Sequence, residues 1–124
     1  MARVLYIEDD DKNRLLVERV LLAEGYDVVS AASARLGIQM AEIDPPDIIL
    51  MDINMPGMDG FMATAALRAI PHLRHIPIVA VTANVMKGDM EGILAAGCDG
   101  YIPKPIDVDR FPEEVDYFLQ NRNA

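Results

Sequence analysis

Short apolar runs alternate with amphipathic stretches from one end of this chain to the other, and that rhythm restricts the fold more than any single motif. Arg3-Val-Leu-Tyr-Ile7 is an apolar run ending in an acidic cluster, as expected of a buried parallel strand whose carboxyl end opens onto a site. From Lys12 to Glu24 the apolar residues Leu16, Val17, Val20 and Leu21 recur at helical spacing, with Asp10 or Asp11 placed to cap the start and Gly25 to stop it. The pattern then repeats as a strand near Asp27–Ala31, a helix over Ala34–Ile43, a Pro45-Pro46 break and a strand over Asp47–Met51. A glycine loop, a helix over Phe61–Ile70, a strand over Ile76–Val81, a helix over Met86–Ala96 and a strand over Gly100–Ile102 follow. The last segment places Phe111, Val115, Phe118 and Leu119 on one helical face, with Pro112 tolerable only in its first turn.

Five strands that alternate with helices through connections too long for hairpins imply right-handed crossovers and a parallel sheet covered on both faces. The expected fold is an α/β three-layer sandwich around a five-stranded parallel sheet. At 124 residues, 52% of them apolar, the chain suits one domain with a core that needs neither disulfide nor structural metal. No repeat or linker suggests a second, so one domain over residues 1–124 with no output domain is the expectation.

Acidic residues outnumber basic ones 20 to 11, a formal charge of -9, which disfavours nucleic acid and anionic membranes as partners. No apolar run approaches the roughly 18 residues needed to span a bilayer, and Met1-Ala2-Arg3 leads straight into strand-like residues without a signal-peptide pattern, so a cytoplasmic protein is expected. The single cysteine, Cys98, is expected to be a buried thiol.

In an open parallel sheet the ligand site lies beyond the carboxyl ends of the strands. There strand one delivers Glu8 and Asp9, strand three Asp52, strand four Thr82 and strand five Lys104. Three carboxylates held together repel one another unless a cation neutralises them, and an all-oxygen set suits a hard ion such as Mg²⁺. Asp10 and Asp11 are better explained as helix caps.

The stretch Ile48-Ile-Leu-Met-Asp-Ile-Asn-Met-Pro-Gly-Met-Asp-Gly60 closely resembles the phosphoacceptor segment of two-component response-regulator receiver domains, the CheY-like superfamily. Tyr6-Ile-Glu-Asp9, Val81-Thr-Ala83, Tyr101 and Lys104-Pro105 match in order, with Thr82 30 residues after Asp52 and Lys104 22 after Thr82, so practically the whole chain is covered. The resemblance implies the flavodoxin-like (βα)5 fold and a switch that accepts a phosphoryl group on Asp52. It implies Asp9 as a direct Mg²⁺ ligand beside Asp52, Glu8 acting mostly through water, and Asn54 lending its backbone carbonyl. By the same resemblance Lys104, the Thr82 hydroxyl and the Ala83 amide would hold the phosphoryl oxygens, and the Lys104-Pro105 bond would be cis. Thr82 and Tyr101 would form the switch, read out on the face of helix four, strand five and helix five. Histidine kinases or histidine phosphotransfer proteins are the implied upstream partners, with an unspecified effector protein downstream; a monomer or weak dimer is expected. Stand-alone DivK-type receivers and those of hybrid kinases are the sub-types it resembles.

Other readings fit less well. An aspartate-nucleophile phosphatase needs a second Asp where Asn54 stands, and a flavin module needs a hydroxyl-rich phosphate loop where Glu8-Asp9-Asp10-Asp11 stands. A docking module independent of phosphorylation remains the alternative. Gly88 and Gly92, inside helix four, each cost roughly 1 kcal/mol relative to alanine and predict a loosely held helix. Met55, Met58, Met86 and Met90 suit an adaptable contact surface, with core filling equally expected for Met86 and Met90. His72 and His75 suit a solvated loop, and Asn54 and Asn84 are placed to influence attacking water.

Overall fold

A computed structural model describes residues 2–55, 57–83 and 87–121, the first three residues of the last span as backbone only. Asn84 and Met86 lie outside them.

Five strands, β1 (Arg3–Ile7), β2 (Asp27–Ala31), β3 (Ile48–Asp52), β4 (Ile78–Thr82) and β5 (Gly100–Pro103), form one sheet in the order β2-β1-β3-β4-β5. Every pairing is parallel. The helices are α1 (Asp11–Ala23), α2 (Ala34–Ile43), α3 (Gly60–Arg68), α4 (Lys87–Ala95) and α5 (Phe111–Gln120), with a 3-10 turn at Pro71–Leu73. The strand order reverses between β1 and β3, which puts the crevice of an open α/β sheet at their carboxyl ends.

Alternation along the strands feeds two separate cores, because successive side chains point to opposite faces. Leu5, Ile7, Ile49, Met51, Ile78 and Ala80 meet Ala34, Ala41, Ala63, Leu67 and Ile93 from α2, α3 and α4. Val4, Tyr6, Ile48, Leu50, Val79 and Val81 meet Val17, Leu21, Phe111 and Val115 from α1 and α5. The three layers and five parallel strands are those expected.

Local chemistry sets the element ends. Asp10 caps α1 by accepting from the amides of Lys12 and Asn13, and Asp59 caps α3 through Met62, so α3 starts at Gly60 rather than Phe61. After α1, Gly25 takes φ 90°, and the amides of Gly25 and Tyr26 bond the carbonyls of Leu22 and Leu21; Gly97 at φ 109° ends α4 in the same way. Pro77 has no N–H to donate, so β4 begins at Ile78 and not at Ile76. Asp47 stays out of β3 and spends its carboxylate on the Arg3 amide at 2.7 Å. Cys98 is the buried thiol expected, 3.6 Å from the Thr64 hydroxyl, and burial pushes its pKa up. Met55 departs from the expectation of a surface contact: it is 7% exposed and belongs to the core beneath the site loop, as a thioether does when it fills an irregular gap. Among the described residues no helix is long and apolar enough to cross a membrane.

Candidate functional site

Asp52 is the last residue of the fully buried strand β3 and is itself 3% exposed. Glu8 follows β1 and is 1% exposed, whereas Asp9 faces solvent. Each of these three carboxylates offers an oxygen, and the three oxygens lie within 4.8 Å of one another. Lys104 reaches in from the end of β5, its Nζ 2.9 Å from Glu8 Oε1 and 3.3 Å from Asp52 Oδ1. The Lys104-Pro105 peptide is cis. Thr82, the last residue of β4, is buried, and its carbonyl accepts from the Lys104 amide at 2.8 Å, which ties the lysine to the strand carrying the hydroxyl. Ala83 follows it at the surface. Asn54 is exposed and donates its amide to Asp52 Oδ1 at 3.2 Å.

Tyr101 sits one strand over, half-buried, against the core on the α2–α4 side. With Pro103, Pro105, Asp107, Arg110 and Glu114 it lines a surface cavity of about 380 Å³ on the β5–α5 side. His72 and His75 are exposed on the loop before β4, away from the carboxylates, as expected.

Electrostatics show what this arrangement asks for. Burial, the hydrogen bond with Glu8 and the Glu8 charge push Asp52 up to about 7, against the pull of Lys104 and the Asn54 amide. Burial would raise Glu8 too, but bonds from Asp52, Lys104 and Tyr6 outweigh it and hold Glu8 down at about 2. Burial would lower Lys104, but its two carboxylate partners prevail and raise it, so the ammonium persists. One lysine facing two buried carboxylates and a third nearby leaves negative charge uncompensated, which is why the Asp52 carboxyl is pushed up. The donor set is all oxygen and open to solvent on the Asp9 side, which fits a hard divalent cation that keeps some of its water.

Three residues to which the sequence reading gives no role at the site complete it. The Tyr6 hydroxyl donates to Glu8 Oε1 at 3.0 Å, Asn13 Nδ2 donates to the same oxygen at 3.2 Å, and Arg14 Nη1 donates to the Glu8 carbonyl at 2.7 Å. Burial and the Glu8 charge push the Tyr6 hydroxyl far up, so it stays a donor. The signal for Tyr6 was its place two residues before Glu8, on the same side of a strand. Asn13 and Arg14 stand in the first turns of α1, and nothing in their spacing points to Glu8 before the helix is docked. Asp10 caps α1 as expected, whereas Asp11 is no cap: it stands inside the first turn and pairs with Arg14.

The family model of the response regulator receiver domain matches residues 4–116. The polar-differentiation response regulator DivK of Brucella ovis is 41% identical over 116 residues, 94% of each chain. The chemotaxis protein CheY4 of Vibrio cholerae superposes with a TM-score of 0.91 at 29% identity, covering 94% of this chain and 98% of that one. The receiver domain of the sensor histidine kinase PA1611 of Pseudomonas aeruginosa, solved with a magnesium ion coordinated in its active-site cleft, gives a TM-score of 0.89 at 33% identity, covering 97% and 98%.

Proposed function

The chain belongs to the response regulator receiver family, whose members signal by phosphorylation, and on that premise we propose that Asp52 is the acceptor of a phosphoryl group delivered by a phosphohistidine. The observation that carries the assignment is the convergence of Asp52, Glu8, Asp9 and Lys104 at the carboxyl ends of β1, β3 and β5. An ionised Asp52 oxygen attacks phosphorus in line as the phosphorus–nitrogen bond to the donor imidazole breaks, leaving an acyl phosphate on Asp52 and a histidine that takes up a proton. Such a transfer needs positioning and positive charge at the equatorial oxygens rather than a protein base. Lys104 stands 3.3 Å from Asp52 Oδ1 and supplies one such charge. The Thr82 hydroxyl and Ala83 amide, at the end of the neighbouring strand, are the uncharged donors to the phosphoryl oxygens. Mg²⁺ would be held by Asp9, Asp52 and the Asn54 carbonyl, with Glu8 acting mostly through water, and when bound it supplies further positive charge there.

Readout follows from the position of Thr82. Drawn toward the phosphoryl group, it leaves room that Tyr101 enters from its half-buried place, and the α4-β5-α5 face changes shape. The partners are a histidine kinase or histidine phosphotransfer protein upstream and an effector protein downstream, in the cytoplasm where such kinases present their phosphohistidines. The domain assists its own phosphorylation and dephosphorylation but turns over no separate substrate. Intact-mass measurement after incubation with a small phosphodonor and Mg²⁺ tests this. One added phosphoryl group, absent in Asp52→Asn and in a metal-free control, is the expected result; a folded protein that takes none leaves only the docking role.

A further inference from the structure

The two oxygens of the Glu8 carboxylate are used differently. Oε1 receives three donors: the Tyr6 hydroxyl at 3.0 Å, Asn13 Nδ2 at 3.2 Å and Lys104 Nζ at 2.9 Å. Oε2 receives the Asp10 amide, at 3.5 Å, and none of the three donors that Oε1 holds. Tyr6 is wholly buried among Val4, Val17, Leu21 and Phe111, in the core between the sheet and α1 and α5. A tyrosine there can place its hydroxyl at one spot only, because its ring is packed on all sides. Asn13 comes to the same oxygen from the first turn of α1, which Asp10 caps.

We propose that Tyr6 and Asn13 are positioning residues that clamp Glu8 by Oε1, fixing its carboxylate plane so that Oε2 is presented to the cation site. The inference rests on the metal-assisted reading above. Neither residue touches the phosphoryl group; both act through Glu8, as partners behind a metal site's ligands orient them and tune affinity. Lys104 is thereby relieved of orienting Glu8 alone. It can turn toward a phosphoryl group on Asp52 while Tyr6 and Asn13 keep the carboxylate in place. Tyr6 suits this task because it is a neutral donor and adds no charge to a site that must attract a cation.

The test is a titration of backbone amide chemical shifts with MgCl₂, without phosphodonor, on wild type, Tyr6→Phe and Asn13→Ala. Tyr6→Phe keeps the packed ring and removes only the hydroxyl, and Asn13 is half-buried on a surface helix, so at least one variant folds. Each variant is expected to weaken Mg²⁺ binding about 10- to 100-fold, the range for losing a partner that orients a metal site's carboxylate. Phosphoryl transfer from a small donor is expected to need correspondingly more Mg²⁺ for half-maximal rate while its plateau stays within about two-fold of wild type. A purely structural role would lower thermal stability without moving the Mg²⁺ midpoint. Unchanged Mg²⁺ affinity in a folded Tyr6→Phe, alongside a wild type that binds, overturns the clamp and leaves the phosphorylation reading intact. A wild type that binds no Mg²⁺ overturns both.

Discussion

Gly60, the first residue of α3, approaches Ile53 so closely that a Cβ built on it would lie 2.7 Å from the Ile53 Cα and 2.8 Å from the Asp52 carbonyl oxygen. Both contacts are with backbone, which cannot rotate aside as a side chain can. The Gly60 amide uses the proximity to donate to the Ile53 carbonyl at 3.1 Å, fastening the start of α3 to the end of β3. Gly60→Ala should therefore lower stability by about 1–3 kcal/mol, the range for overpacking a tight site. It should also slow phosphorylation of the fraction that remains folded, because relief of the clash must move Asp52. Urea unfolding and single-turnover phosphorylation check the two effects; wild-type values in both would show that the helix can retreat without dragging the strand.

Asp52 and Glu8 predict a stability profile for the metal-free protein. Asp52 is raised to about 7 from an ordinary value of 3.8, so between these pH values the native state binds a proton that the unfolded chain has lost. Stability must then fall as pH rises through that window. Glu8, held near 2 against an ordinary 4.5, works in the opposite sense and adds stability as pH rises from about 2 to 4.5. In a chelator, stability should peak near pH 4–5 and decline toward 7. Asp52→Asn should remove the decline and be more stable than wild type at pH 7.5, while accepting no phosphoryl group. Chemical denaturation across pH 3–8 would reveal the slope, and Mg²⁺ should reduce it in wild type alone.

Helix α4 offers a prediction of opposite sign. Gly92 lies in its interior, and among the described residues a Cβ there would meet the Phe61 ring, at 3.8 Å, an ordinary contact. Gly92→Ala should stabilise the protein by about 0.5–1 kcal/mol by restricting the unfolded chain and favouring the helix. Hydrogen exchange in α4 should slow correspondingly. Slow exchange throughout α4 in the unmodified wild type would contradict the loosely held helix that Gly88 and Gly92 predict.

The parts of this fold that the sequence discloses depend on short-range patterns, and those it hides depend on docking. The strand over Asp27–Ala31 and the helix over Ala34–Ile43 appear as read, because an apolar run or stripe bounded by polar or glycine residues carries its own period. Asp9, Asp52, Thr82 and Lys104 could be collected because each lies at or just beyond a strand's carboxyl end, and parallel strands bring those ends together. Tyr6 was legible as a core residue but not as a partner of Glu8, since that role needs the ring packed and the hydroxyl aimed. Asn13 and Arg14 become neighbours of Glu8 only when α1 lies against the sheet. Met55 was misplaced because a methionine in a loop gives no sign of whether the loop folds inward.

Arg68 is the plainest case of a role that only tertiary structure discloses, and it gives the last prediction. From the end of α3 its guanidinium donates to the Gly97 carbonyl at 3.0 Å, to the Arg74 and Ile76 carbonyls at 3.1 and 2.7 Å, and to Asp99 at 2.8 Å. The same Asp99 oxygen accepts from the Ile78 amide at 2.8 Å, so one side chain joins α3, the end of α4 and the starts of β4 and β5. A planar guanidinium with fixed donor directions can serve all four acceptors, and an ammonium cannot. Arg68→Ala should cost about 2–4 kcal/mol, more than a surface ion pair contributes, because it strands carbonyls at a helix end and a strand start. Arg68→Lys should recover little of that loss, and Asp99→Asn less than half of it should appear. Since this hub sits at the amino ends of the strands, opposite Asp52, the phosphorylation rate of the folded variants should match wild type. Denaturant midpoints paired with phosphorylation kinetics separate the two: a slowed reaction in fully folded Arg68→Lys would mean that the two ends of the sheet are coupled.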